Sequence, residues 1–423
     1  MNRKTPFRFL HAADLHLGTA FKGLKSVNPR AASVMIQSTY RAFDNLLQVA
    51  IERQVDLVVL AGDLVDVDDK NLRALLHLQR GFKRLQEHEI KVCIVHGNHD
   101  PLGAVSSAIN FPENVTVFPH TRGEWLSIKN SCDIPVYIWG ISFKRRTERR
   151  NLARMVPRNP PKGLRIGLLH CTVGSGQGHE PYAPCTLSEL RDSPCNYWAL
   201  GHIHKKEILS TEPFVIYPGN IQGRSFKEQG PRGCFVVDVD MDFDIVPTFI
   251  ETDVARWMEL VVDVTDLSGV SQLMDKMYES IETLLSGIAH RALICRFRLE
   301  GICSFYHRIY AQEHLEEISQ EIVHGFENSE PVVMVSGIEN QAIPAADLEK
   351  RKKAGDLVAY VLREADRLEL DPVKLTGPGG PLAQLFQNRR FSKFAIDIDK
   401  SDIKQIVSSA QHLLLHLLED SQK

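Results

Sequence analysis

Residues 55–66 read VDLVVLAGDLVD, an apolar run that ends in a glycine and two aspartates. Four more runs rich in Val, Ile and Leu lead directly into polar residues: FRFLHAADLHLG (7–18), KVCIVHGNHD (91–100), LRIGLLH (164–170) and YWALGHIH (197–204). Short apolar runs of this kind are typical of buried strands in a parallel sheet. Helical patterns over residues 42–53 and 72–88 separate the early runs, so the sequence predicts alternating strands and helices and an α/β fold.

Side chains with metal-binding chemistry stand at the ends of these five runs. They are Asp14, His16, Asp63, Asn98, His170, His202 and His204. A lone histidine after a strand is more often structural than functional. Here carboxylate, amide and imidazole groups follow successive strands, and parallel strands bring such groups to one edge of a sheet. The combination therefore predicts a metal site.

The types of ligand indicate which ions and how many. Carboxylate oxygens, an amide oxygen and imidazole nitrogens, without a thiolate, suit a six-coordinate Mn²⁺ or Fe²⁺ better than tetrahedral zinc, and imidazoles disfavour Mg²⁺. Seven protein ligands exceed one octahedron, so two ions that share one carboxylate are the natural number. Two aspartates offset only part of the four positive charges, and the remaining charge would attract a phosphodiester.

The order DxH, GDxxD, GNHD, H and GHxH resembles that of the calcineurin-like metallophosphoesterases. Three longer stretches resemble more narrowly the DNA repair exonuclease subunit SbcD family and its YhaO-type members: HCTVGSGQGHEPYAP (170–184), YWALGHIHKKE (197–207) and IYPGNIQGRSFKEQGPRGCFVVDV (216–239). This resemblance covers about residues 5–250. It implies a four-layer α/β/β/α sandwich with a small α/β cap and a helical C-terminal region.

The resemblance also implies a role for each site residue. One ion would be held by Asp14, His16, Asp63 and His204, and the other by Asp63, Asn98, His170 and His202. Asp63 would bridge the two ions, and His99 would act as the catalytic acid that protonates the leaving 3′ oxygen. His99 could instead only brace its loop through Asp100. Asp66 stands where some relatives have a histidine, so the direction of digestion remains open.

Three segments are expected along the chain. Residues 1–250 would form the nuclease domain, residues 251–340 a cap that is a candidate for DNA binding, and residues 341–423 a helical tail. Amphipathic patterns within residues 357–368 and 403–417 make the tail a candidate docking site for an SbcC-like coiled-coil ATPase. The glycine-rich stretch LTGPGGPL (375–382) lacks the GK[ST] ending of a phosphate-binding loop and reads as a connector.

A basic segment, Lys144–Arg165, carries nine Lys and Arg residues against a single acid, Glu148. Its charge fits contact with a phosphate backbone, although a solvated surface would look the same. Asn220 and Arg224 could orient a phosphate or only shape a turn.

The preferred function is a Mn²⁺-dependent DNA nuclease, the exonuclease subunit of an SbcCD-like repair complex. One alternative is a phosphodiesterase or phosphatase acting on small nucleotides or phosphoproteins. Another is a DNA-end binding scaffold without catalysis. The basic segment, cap and tail favour a macromolecular substrate, and the complete ligand set with His99 disfavours the scaffold.

Composition limits the class of protein further. A hydrophobic fraction of 43% and a charged fraction of 24% predict a soluble globular chain. No apolar run is long enough for a bilayer span or a signal peptide, so a cytoplasmic protein without membrane association is expected. The eight cysteines form no CxxC pair, which indicates buried reduced thiols. A twofold homodimer is compatible with the resemblance.

Overall fold

The fold is described from a computed structural model. It describes residues 7–19, 29–66, 72–102, 110–130, 134–174, 181–288, 291–345 and 348–370, and the separate positions 407–408, 410–412, 414–415 and 418. The chain divides into two compact units. The first comprises residues 1–258, 288–294 and 327–334, and the second comprises residues 259–287, 295–326 and 335–423.

Two six-stranded sheets form the centre of the first unit. The strands of the first sheet, in spatial order, are β12 (Ile245–Glu251), β11 (Gly233–Val239), β1 (Phe7–Ala12), β2 (Leu57–Ala61), β3 (Lys91–Val95) and β4 (Val115–Val117). Strands β1 to β4 run parallel, and β11 and β12 add an antiparallel edge. The three motifs of the N-terminal half thus follow three neighbouring parallel strands.

The second sheet carries the other two motifs. Its strands, in spatial order, are β5 (Leu126–Ile128), β6 (Val136–Ile141), β7 (Leu164–His170), β8 (Tyr197–Gly201), β10 (Phe214–Tyr217) and β9 (Glu207–Thr211). Strands β6, β7, β8 and β10 are parallel to one another. His170 is the last residue of β7, and His202 and His204 follow β8 directly.

Three hydrophobic layers explain how the sheets stack. Helices α1 (Pro29–Glu52) and α2 (Leu72–Glu87) bury Phe43 and Phe82 against the outer face of the first sheet. Between the sheets, Phe9 and Val59 from one sheet pack in the same cluster as Ile166 from the other. On the far side, Leu190 of the short helix α3 (Leu187–Arg191) packs with Trp139 and Trp198. The order helix, sheet, sheet, helix confirms the predicted fold class.

Beyond Glu251 the chain forms a small sheet and further helices. The sheet has the order β13 (Ala255–Asp263), β14 (Ala292–Glu300) and β16 (Val333–Asn340), and β15 (Ile302–Cys303) pairs with β17 (Ile343–Pro344). The helices are α4 (Val270–Gly287), α5 (Gln312–Gly325), α6 (Leu348–Lys352) and α7 (Leu357–Leu370). The glycine-rich connector at 375–382 and most of the predicted final helix lie outside the described residues. Within the described part of the chain, no helix combines the length and apolar character needed to cross a bilayer.

Candidate metal centre

All seven predicted ligands lie where strands of the two sheets end. Asp14, His16, Asp63 and Asn98 follow strands β1, β2 and β3 of the first sheet, and His170, His202 and His204 belong to the ends of β7 and β8 in the second. The expectation of a single sheet edge is therefore refined, since the site joins corresponding edges of two stacked sheets. A hydrogen bond joins the two sheets at this edge, since His170 Nδ1 lies 2.8 Å from the carbonyl oxygen of Ala61 on β2.

Four of the site residues have backbone conformations that residues other than glycine rarely adopt. The φ angles are +52° for Asp14, +43° for His16, +53° for Asp63 and +98° for His202. Such conformations cost free energy and cluster at functional sites, where the surrounding structure enforces them. Sharp turns after β1, β2 and β8 thus direct several donors toward one point.

Among the described residues, predicted ligands form two groups that share Asp14. In the first group, donor atoms of Asp14, His16 and His204 all lie within 4.8 Å of one another. In the second group, the same holds for Asp14, Asp63 and His170. Asp63 also approaches the first group, because its Oδ2 is 3.8 Å from His16 Nε2 as well as 3.4 Å from His170 Nε2.

The hydrogen bonds of His16 and His204 reveal which ring nitrogens face the centre. His16 Nδ1 lies 2.9 Å from an Asp66 oxygen, and His204 Nδ1 lies 2.7 Å from a Glu228 oxygen. A carboxylate can only accept, so each Nδ1 carries the proton and each Nε2 of a neutral ring presents a lone pair. The two Nε2 atoms are 3.3 Å apart. Two facing lone pairs repel each other unless a cation lies beside them, and this donor set therefore fits a metal ion.

His170 leads to the same conclusion for the second group. Its Nδ1 donates to a backbone carbonyl, and its Nε2 faces Asn98 Oδ1 at 3.0 Å and Asp63 Oδ2 at 3.4 Å. Burial alone would lower the pKa of His170, but Asp63 and Asp14 raise it to about 9. The surroundings thus favour a positive charge at Nε2, which a proton or a bound metal ion can supply.

The pKa values of the two central aspartates shift in opposite directions. Burial raises the pKa of Asp14 to about 6, although His204 and His170 oppose the shift. Burial would also raise the pKa of Asp63, but His170 and His16 hold it below its ordinary value. Asp63 is therefore the firmly ionised carboxylate of the centre.

His202 lies beside these groups. Its backbone N–H donates to both Asp14 oxygens, at 3.1 and 3.2 Å, and its ring centroid is 5.2 Å from that of His170. It belongs to neither group of donors defined above. The structure thus brings His202 to the site, whereas its role as a ligand stays a prediction.

His99 lies at the open side of the centre, with 47% of its side chain exposed. Its Nδ1 is 2.7 Å from Asp66 Oδ1, the oxygen that also binds His16. The hydrogen bond that His99 donates to Asp66 raises the pKa of His99, although burial opposes the shift. A protonated imidazole in this position could donate a proton to a group entering from solvent.

Asp100 is the brace of the GNHD loop. It is fully buried, and its oxygens accept hydrogen bonds from the backbone N–H groups of Gly97, Asp63 and Leu64 at 2.7, 3.2 and 2.9 Å. A further contact of 3.1 Å joins it to His96 Nδ1. Asp100 therefore ties the loop after β3 to the loop after β2.

Two acidic residues are part of the centre although the sequence interpretation did not assign them a role there. Asp66 contacts both His16 and His99, and Glu228 contacts His204. Asp66 could have been found from GDLVD, since its spacing from Asp63 is part of the motif. Glu228 lies within the stretch 216–239 that resembles the SbcD family, but that resemblance assigned no role to this residue. Asn220 is 1% exposed and bonds to its own loop, which gives it a structural role rather than a phosphate contact.

A cavity of about 760 Å³ opens over the centre. It is lined by Asp63, Asn98, His99, Tyr182, His202, Ile203, His204, Lys205, Ser225, Phe226, Lys227, Glu228, Gln229 and Arg232. The basic segment starts close by, because Lys144 directly follows Phe143, whose ring centroid is 5.5 Å from that of His170. Eight of the nine basic residues of this segment are exposed, and Arg165 is half-buried.

Comparisons with known proteins agree with this geometry. The sequence pattern of the calcineurin-like phosphoesterases matches residues 7–206, and that of the middle domain of metallophosphoesterase YhaO matches residues 257–341. The metallophosphoesterase YhaO of Bacillus subtilis (strain 168) is 37% identical over 281 residues, which are 66% of this chain and 69% of that protein.

More distant similarity connects the chain to proteins of DNA repair. The DNA double-strand break repair protein Mre11 of Sulfurisphaera tokodaii is 23% identical over 347 residues, 74% of this chain and 83% of that protein. Its counterpart in Sulfolobus acidocaldarius is 24% identical over 295 residues, 67% of this chain and 74% of that protein.

Proposed function

Because the chain belongs to the calcineurin-like phosphoesterase family, we propose that it is a two-metal nuclease that hydrolyses phosphodiester bonds in DNA. The observation that carries this proposal is the convergence of three histidine Nε2 atoms on Asp14 and Asp63, beside the His99–Asp66 pair. Similarity to Mre11 proteins supports DNA as the substrate.

Asp14, His16, His204, Asp63, Asn98 and His170 would hold the ions, with His202 as a further ligand. The mixed oxygen and imidazole donors suit Mn²⁺ or Fe²⁺, and we propose Mn²⁺ as the first candidate and Fe²⁺ as the second. Bound divalent ions supply Lewis acidity, which withdraws charge from a phosphoryl oxygen and lowers the pKa of a water molecule. Asp63, firmly ionised and within 4 Å of both His16 and His170, would bind both ions.

The protein's own proton donor would be His99. Asp66 accepts from Nδ1 of His99, which leaves Nε2 free to carry a proton to the leaving oxygen of the phosphodiester. Asp66 also raises the pKa of His99, which favours the protonated ring. A positioned general acid of this kind typically contributes about 10²- to 10⁴-fold in rate.

The surfaces around the cavity support a long polyanionic substrate. Lys205 and Lys227 line the cavity, and the basic segment begins one residue after Phe143, which packs on His170. Phosphates on either side of the scissile bond would meet these cations. A phosphatase for small nucleotides would need no such extension.

The test is manganese-dependent degradation of a labelled linear DNA duplex by the full chain. His99→Ala should reduce the rate about 10²- to 10⁴-fold while leaving Mn²⁺ affinity within a few fold. His77→Ala is a matched control, because His77 also pairs with an aspartate, Asp44 at 2.9 Å, but on the outer helices. Cleavage of a small phosphodiester without any cleavage of DNA would contradict the proposed substrate.

We also propose that the helical tail docks on an SbcC-like coiled-coil ATPase. Helix α7 supports this proposal, since Leu357, Tyr360 and Val361 are 76%, 57% and 42% exposed while Ala359 and Leu362 are buried. Replacing Tyr360 and Val361 by glutamate should abolish co-purification with the ATPase and leave cleavage of a small phosphodiester unchanged. Unchanged co-purification would argue against this docking surface.

A further inference from the structure

We propose that Glu228 is a positioning residue that fixes the tautomer of His204, so that Nε2 presents its lone pair to the metal centre. The inference rests on the metal centre of the proposed function. It concerns a residue that stands 24 positions after the histidine it would control.

The shortest contact on the Nδ1 side of His204 is to a carboxylate, which favours the proton on Nδ1. Glu228 Oε1 lies 2.7 Å from Nδ1, and the guanidinium of Arg224 lies 3.1 Å from both atoms. If Nδ1 were bare, its lone pair would face a carboxylate oxygen at short range. With the proton on Nδ1, His204 and Arg224 both donate to the same oxygen.

The second oxygen of Glu228 prevents the carboxylate from turning away. It accepts from the Asn220 side-chain amide at 2.8 Å and from the backbone N–H of Arg224 at 2.8 Å. Asn220 is itself held, because its amide donates to the carbonyl of Gln222 at 2.7 Å and its oxygen accepts from Arg232. The loop after β10 therefore holds Glu228 in one orientation.

The opposite edge of the ring is the one that faces the centre. His204 Nε2 lies 3.3 Å from His16 Nε2 and 3.7 Å from Asp14 Oδ1. A proton on this nitrogen would occupy the position that a metal ion needs. Histidine ligands commonly have the other ring nitrogen bonded to a carboxylate, and loss of that partner costs about 10- to 100-fold in metal affinity.

Glu228→Gln distinguishes two roles of Glu228, control of the His204 tautomer and packing, because glutamine has nearly the same shape as glutamate. Two N–H donors, from Asn220 and Arg224, meet at the Oε2 position, so the glutamine oxygen will take that place. The glutamine NH₂ group then points at His204 Nδ1, which has to accept. The ring proton moves to Nε2, where it blocks metal binding. Alanine leaves Nδ1 to water and imposes no tautomer.

The experiment is titration calorimetry of the metal-free full chain with Mn²⁺. Glu228→Gln should bind Mn²⁺ about 10- to 100-fold more weakly than the unmodified protein, and Glu228→Ala should lose no more than Glu228→Gln. Glu148→Gln is the matched control with unchanged affinity, because Glu148 has a similarly low side-chain exposure, 8% against 12% for Glu228, but pairs with Arg150. Affinity of Glu228→Gln within twofold of the unmodified protein overturns the inference.

A double-mutant cycle distinguishes the proposed role from one in which Glu228 only stabilises its own loop. In a His204→Ala background, Glu228→Gln should change Mn²⁺ affinity by less than twofold, since the residue acts through the ring. An equal loss in both backgrounds overturns the proposal.

Nitrogen NMR of histidine side chains in the metal-free, unmodified protein provides a test that needs no folded Glu228 variant. The His204 signal, identified by its absence in His204→Ala, should show a protonated Nδ1 and a bare Nε2 at pH 8. The reverse tautomer would overturn the inference. A protein that binds Mn²⁺ and shows the expected tautomer but cleaves no DNA would refute the nuclease proposal alone. A protein that binds no Mn²⁺ refutes the metal centre itself.

Discussion

Replacing Asp100 by alanine should destabilise the first unit and weaken metal binding together. The substitution removes the acceptor of three backbone N–H groups, those of Gly97, Asp63 and Leu64. A buried donor left without an acceptor costs about 1–3 kcal/mol, so the three sum to about 3 kcal/mol or more. At about 2–4 °C per kcal/mol for a domain of 150–250 residues, the melting temperature should fall on the order of 10 °C.

The assay is thermal unfolding in EDTA, followed by titration of the folded protein with Mn²⁺. Metal affinity should fall as well, because Asp100 joins the loops that carry Asp63 and Asn98. Asp240→Ala is a matched control, since Asp240 accepts from two backbone N–H groups in an exposed contact, at 2.9 Å each. Water can replace that carboxylate, so the control should shift the melting temperature little. Asp100→Ala with the melting temperature and Mn²⁺ affinity of the unmodified protein would refute the reasoning.

Three further predictions follow from other parts of the structure. Gly97→Ala should reduce Mn²⁺ affinity at least tenfold in calorimetry, because an added Cβ would lie 2.3 Å from a carboxylate oxygen of the centre; Gly123→Ala, with 3.7 Å to its nearest neighbour, should not. Burial lowers the pKa of His11 to about 3, so below pH 6.5 the unfolded chain binds a proton that the folded chain does not. The free energy of unfolding should therefore fall by about 2 kcal/mol from this residue alone at pH 5, and His11→Gln should show a flatter pH dependence in chemical denaturation. Three charge reversals in the basic segment should lower the slope of log K for DNA against log salt by about 2 to 3, and an unchanged slope would exclude this surface. The substitutions are Lys144→Glu, Arg145→Glu and Arg149→Glu.

Several elements could be predicted from local pattern because burial on both faces leaves a continuous apolar run. Strands β1, β3 and β7 begin where the apolar runs predicted them, and β7 ends at His170. Strand β6 had the same signal in VYIWGI and was not predicted, whereas β9 is a partly exposed edge strand with a weak pattern. Helix α1 begins at Pro29, well before the predicted residue 42.

The sequence by itself determined the set of candidate donors and their positions at strand ends, since both follow from patterns a few residues long. Only the tertiary structure decided that these ends belong to two stacked sheets and that His170 reaches Ala61 across them. It also decided which nitrogen of each ring faces the centre, because Asp66 and Glu228 approach His16 and His204 from 50 and 24 residues away. The tautomer of a histidine depends on which group its ring nitrogens bond to in the folded protein, and the residues next to it in the sequence do not identify that group.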